Sequence, residues 1–104
     1  MDVVLCKTSE LAEGAMRRFE IMGYDVLAIR LGGRFYGIDS WCTYRYADLA
    51  EGSIDTDQGI LVCKDCSGSW DIASGQPKAP PASFPLTVYE MTTAGDDLVL
   101  TFTY

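Results

Sequence analysis

The apolar residues of this chain fall in short runs separated by glycine-, aspartate- or proline-bearing stretches, and nearly every run reads as a strand or a turn. Val3-Val4-Leu5 is a short β-prone run, and Ser9 to Gly14 predicts a single helical turn closed by glycine. Met16 to Ile21 predicts a strand that ends at a turn over Gly23-Tyr24-Asp25. Val26 to Leu31, Gly32-Gly33 and Arg34 to Ile38 predict a hairpin, because two glycines supply the positive φ values of a tight two-residue turn. A second hairpin is predicted from Leu86–Met91 and Leu98–Phe102 around Ala94-Gly95-Asp96-Asp97.

Residues 39–85 differ from these flanks, being rich in Asp, Gly, Ser and Pro. Ile60-Leu61-Val62 and Trp70-Asp71-Ile72 offer short strand cores there, while proline keeps Lys78 to Ala82 out of any sheet interior. The expected architecture is all-β in one domain of 104 residues. Residues 1–38 and 86–104 are expected to form two antiparallel sheets, and residues 39–85 a loop-rich insertion packed as a small subdomain of its own.

Composition narrows the chemistry. At 48% apolar residues the chain can fill a core, which excludes disorder. Fifteen acidic against eight basic side chains give a formal charge of −7, so nucleic acid and anionic membranes are poor partners and a basic protein is a better one. There is no histidine, which excludes Ser-His-Asp and Cys-His catalytic units and any imidazole metal ligand. No apolar run approaches the roughly 18 residues of a membrane span. The first residues lack the basic and apolar regions of a signal peptide, and a soluble cytoplasmic protein is expected.

In a reducing compartment, cysteines point to metal or redox chemistry before disulfides. Trp41-Cys42-Thr43-Tyr44 is followed, after eighteen residues, by Cys63-Lys64-Asp65-Cys66. Two short cysteine-bearing loops are how small proteins clamp a metal between knuckles, and a C-x-x-C pair can turn two thiolates the same way. Trp41 and Trp70 are expected to wall this site from water, and Cys6 to be a buried strand residue remote from it. Asp48, Glu51, Asp55, Asp57 and Asp65 read as a solvated acidic face whose place near the cysteine loops also suits docking.

Over its whole length the chain resembles the Rieske-type ferredoxins, small electron carriers of bacterial and archaeal oxygenase systems. The resemblance rests on Leu5 to Gly14, on Tyr36 to Thr43, on Asp48 to Gly52, on Ser67 to Pro77, and on Phe84 to Val99. It implies a Rieske fold, a [2Fe–2S] cluster, electron transport without catalysis, and a reductase and an oxygenase as redox partners. The family's loops read C-x-H and C-x-x-H, with cysteines on one iron and histidines on the other. Here Cys42 and Cys63 occupy the cysteine positions, and Tyr44 and Cys66 stand where the histidines belong. The resemblance therefore implies Cys42 and Cys63 on one iron, with Cys66 on the other. Tyr44 is either a fourth ligand or a packed aromatic. Two alternatives stand beside the cluster: a cluster-free interaction module of the same fold, and a single zinc or iron on the three cysteines plus an oxygen donor.

Overall fold

The computed structural model describes residues 2–42, 48–64, 67–80, 82 and 84–101, so Tyr44, Asp65 and Cys66 lie outside the described residues. The strands are β1 (Asp2–Lys7), β2 (Met16–Ile21), β3 (Tyr24–Leu31), β4 (Arg34–Asp39), β5 (Ser53–Asp55), β6 (Ile60–Val62), β7 (Ser69–Asp71), β8 (Pro77–Ala79), β9 (Val88–Ala94) and β10 (Asp97–Thr101). Short 3₁₀ turns occupy Thr8–Glu10 and Leu49–Glu51. The first begins one residue before the predicted turn and stops well short of Gly14. Leu11 takes an extended conformation and is buried, which pulls the chain out of the turn early.

The flanking segments were expected to make two sheets, yet they join in one antiparallel sheet of order β1-β10-β9-β4-β3-β2. The joint is short: Gly37 pairs with Tyr89 and Ile38 with Val88, and Asp39 N–H donates to Thr87 O at 3.0 Å. The first hairpin turns on Gly32 and Gly33, with φ 63° and 76°, as predicted. The earlier turn lies on Met22-Gly23, with φ 54° and 86°, one residue ahead of the glycine-tyrosine-aspartate stretch, so Tyr24 and Asp25 already belong to β3.

The second sheet comes from residues 39–85 and has the order β5-β6-β7-β8. Strand β5 has too little apolar character to be read from sequence. Strand β8 carries Pro77 at the sheet edge, where a missing amide donor is tolerated.

Strand β3 explains how the layers are held. Val26, Leu27, Ala28 and Ile29 are all fully buried, and side chains alternate across a strand, so this one strand feeds both of its faces. Leu27 and Ile29 join the largest core, together with Ile38, Leu49, Leu61, Trp70, Ile72 and Leu86. Ala28 packs instead with Leu11 and Leu98, and Val26 with Leu100. Leu61 pairs with Trp70 across β6 and β7, which puts both on the face turned to β3 and β4. The two sheets thus share one continuous core, and the cysteine-bearing loops grow from its edge.

Candidate metal centre

The first cysteine loop leaves β4 through Ser40 and Trp41 and returns at Asp48. Its base is pinched shut. Trp41 and Asp48 form an isolated antiparallel bridge, and Leu49 N–H donates to Ser40 O at 2.7 Å. Ser40 is fully buried, and its hydroxyl donates to Asp48 Oδ1 at 3.0 Å. The same oxygen accepts Ala50 N–H at 2.9 Å, capping the 3₁₀ turn that follows. Cys42 emerges from this frame 6% exposed, inside the principal core.

The second loop joins β6 to β7. Cys63 N–H donates to Gly68 O at 2.8 Å, and Cys63 O accepts Ser67 N–H at 3.1 Å, so both backbone groups of this cysteine are spent on closing its own loop. Ser67 sits at φ 61°, a left-handed conformation that lets the chain reverse within so few residues. Cys63 is 2% exposed and belongs to the same core as Cys42.

A third segment packs over the second loop. A Cβ at Gly68 would stand 3.0 Å from Ala82 N, so only glycine lets the two backbones approach without displacement. Trp70, wholly buried, donates its indole N–H to Phe84 O at 2.9 Å. Leu86 N–H donates to Gly75 O at 2.8 Å.

The predicted site residues thus divide. Cys42 and Cys63 are buried in one core at the head of two closed loops. The third thiol of the predicted set, Cys66, and Tyr44 fall outside the described residues. Trp70 is wholly buried in the core that holds Cys42 and Cys63, while Trp41 is partly exposed and donates its indole N–H to Asp25 Oδ2 at 2.6 Å. Cys6 is half-buried where full burial was expected. It lies at an irregularity of β1 and packs beside Leu11, Ala28 and Leu98, in a core separate from that of Cys42 and Cys63. Burial raises its thiol pKa, Glu10 adds to the rise, and Arg17 opposes it. Asp48 was expected on a solvated face, but its carboxylate is engaged with Ser40 and Ala50. Sequence gave no hint of Arg18 and Asp25, which meet this loop from β2 and β3 and are recognisable only once the strands are registered.

The buried sulfur of Cys42 and Cys63 suits iron, since thiolate is the standard ligand of iron–sulfur groups. Neutral nitrogen donors are absent because the chain has no histidine. The residues present fit an iron–sulfur group of thiolate character.

The fold and the paired cysteine loops define an all-β metal-binding domain of the ferredoxin type. The Rieske [2Fe-2S] domain matches residues 1–90, and the chain belongs to that family. It is 33% identical to ferredoxin CarAc of Metapseudomonas resinovorans over 84% of this chain and 80% of that protein. It is 29% identical to the ferredoxin component of biphenyl 2,3-dioxygenase from Rhodococcus jostii (strain RHA1), over 92% of this chain and 88% of that one. Among solved structures, the ferredoxin of carbazole 1,9a-dioxygenase from Nocardioides aromaticivorans IC177 superposes with a TM-score of 0.93 at 24% identity, covering 96% of each chain. A ferredoxin solved in complex with reduced oxygenase in carbazole 1,9a-dioxygenase superposes with a TM-score of 0.88 at 27% identity, covering 95% of this chain and 91% of that one.

Proposed function

We propose that this protein is the ferredoxin component of an oxygenase system, accepting electrons from a reductase and delivering them to an oxygenase in the cytoplasm. It is an electron carrier and transforms no substrate. The observation that carries the reading is the pair of closed loops that brings Cys42 and Cys63, both buried, into one core of a Rieske-family domain. In this reading residues 1–38 and 86–104 form a base that carries residues 39–85. Cys42 and Cys63 hold one iron of a [2Fe–2S] group and Cys66 the other, with Tyr44 either a fourth ligand or a packed aromatic. When bound, that group supplies a one-electron couple.

The remaining work belongs to the chain. Leu49, Leu61, Trp70 and Ile72 keep water from the buried side of the two cysteines, and a dry surround limits the rearrangement that accompanies a change of charge. The formal charge of −7 suits electrostatic steering toward basic partner surfaces.

A visible spectrum with iron and sulfide analysis tests the reading. Two irons and two sulfides in a coloured protein support it. A colourless metal-free protein would instead be a cluster-free interaction domain. Zinc without colour, or iron without sulfide, would indicate a mononuclear site on the cysteines.

A further inference from the structure

Two carboxylates stand beside the base of the first cysteine loop, and each divides its oxygens the same way. Asp25, at the start of β3, accepts the Trp41 indole N–H on Oδ2 at 2.6 Å and faces Arg18 with Oδ1 at 3.9 Å. Asp48 accepts the Ser40 hydroxyl and Ala50 N–H on Oδ1 and faces the Arg18 Nε with Oδ2 at 3.8 Å. The Arg18 guanidinium lies 5.4 Å from the centre of the Trp41 ring. One cation on β2 therefore bridges two carboxylates and covers the indole between them. Ser40 N–H completes the frame by donating to Asp25 O at 3.1 Å.

We infer that Asp25 is a positioning residue for the metal centre: by anchoring Trp41 it fixes the backbone from which Cys42 projects and keeps that thiol covered. Both ends of the loop are tied, residues 40 and 41 on one side and 48 to 50 on the other. The hydrogen bond to Asp25 ties the side chain of Trp41, the residue immediately before Cys42, beside the backbone bridge of Trp41 to Asp48. Asp25 is engaged with Arg18, Trp41 and Ser40, all on the side of the first loop, whereas the Cys63 loop is closed through its own backbone. Asp25 therefore acts on one cysteine and not on the other. This inference rests on the reading that Cys42 holds the metal group.

The difference between the two cysteines makes the test. The full-length chain is treated with an iron chelator, and alkylation by iodoacetamide is followed separately at Cys42, Cys63 and Cys6 by mass spectrometry. Asp25→Ala should raise the rate at Cys42 at least tenfold and leave Cys63 within twofold. Asp25→Asn keeps an oxygen acceptor for the indole while losing the charge facing Arg18, and it should stay within twofold of the parent at Cys42. Trp41→Phe keeps a ring but removes the N–H, and should reproduce the selective rise even where Asp25→Ala folds poorly. An equal rise at Cys42 and Cys63, or no rise at either, overturns the inference. An Asp25→Asn variant as reactive as Asp25→Ala also overturns it, by assigning the effect to the Arg18 ion pair. Because the assay needs no metal, a protein that never binds iron would defeat the proposed function while leaving this result to stand or fall by itself.

Discussion

Gly75 and Gly33 share the same φ, 76°, in opposite surroundings, which makes alanine at each a controlled comparison. At Gly33 a Cβ meets nothing within 4 Å. At Gly75 it would overlap Leu86 O and stand 2.9 Å from a Val88 methyl. Placing an L-residue in the left-handed region costs about 1–2 kcal/mol at either site. Loss of unfolded-chain entropy returns about 0.4–1 kcal/mol, again at either site. Only Gly75→Ala must also move the Leu86 backbone, at about 1–3 kcal/mol for overpacking, with about 1 kcal/mol more for weakening the hydrogen bond from Leu86 to Gly75. The shared contributions cancel, leaving Gly75→Ala about 2–4 kcal/mol less stable than Gly33→Ala. Urea unfolding followed by far-ultraviolet circular dichroism reads this directly, provided the slope with denaturant is unchanged. In a thermal scan the gap is at least about 8 °C for a chain of this size. Equal destabilisation of the two variants would refute the close approach of residue 75 to Leu86, and with it the joint that ties the small sheet to the closing hairpin.

Replacing the candidate ligands should separate them: Cys42→Ser and Cys63→Ser should each abolish the visible chromophore, while Cys6→Ser leaves it intact. Tyr44→Phe should shift the spectrum where the phenol is a ligand, and an unchanged spectrum would assign the fourth position to another donor. With a thiolate in place of an imidazole, and a second negative charge where Tyr44 ligates as phenolate, the potential should lie toward the roughly −400 mV of all-thiolate ferredoxins and below the Rieske range of about −150 to +300 mV. It should also be nearly flat between about pH 6 and 9, apart from any titration of unligated thiols near their usual pKa of about 8.5. Protein-film voltammetry checks both, and a high potential with a steep pH slope would overturn the ligand set. The Glu13 carboxylate accepts Gly32 N–H at 2.7 Å and Gly33 N–H at 2.8 Å, and these bonds hold its pKa below the usual carboxylate range. A depressed pKa gives stability that is present above the ordinary value and lost as pH falls through the folded one. The Tm advantage of the parent over Glu13→Gln should therefore be full at pH 7 and vanish in acid; a difference independent of pH would count against it.

How much was legible depended on the range of the contact. The Gly32-Gly33 hairpin is a local device, so two adjacent residues suffice to predict it. The Met22-Gly23 turn was misplaced by one residue because methionine rarely takes a positive φ, and register with β3 rather than local preference puts it there. Cys42 and Cys63 stood out by residue type and spacing, which need no fold to be noticed. Their burial in a common core required Leu61 and Trp70 to be paired, and that pairing brings residues nine apart onto one face. Arg18, Asp25 and Asp48 look in the sequence like ordinary surface charges. Their joint hold on Trp41 exists only after β2 and β3 are in register.

Among the described residues, several contacts hold the two loops in place. Asp48 secures Ser40 and Ala50, Gly68 receives Ala82, and Trp70 holds Phe84 by its indole. These are backbone approaches and hydrogen bonds that depend on glycine, a carboxylate and an indole, and an imidazole takes part in none of them. These described contacts would serve a frame with imidazole, thiol or phenol at the two further ligand positions that the family resemblance implies. Selection can then act on those two side chains for what they donate to the metal. An imidazole is a neutral donor, a thiolate a charged one, and extra negative charge disfavours taking up an electron. The same frame can accordingly serve a high-potential or a low-potential carrier, and the absence of histidine from this chain predicts the latter.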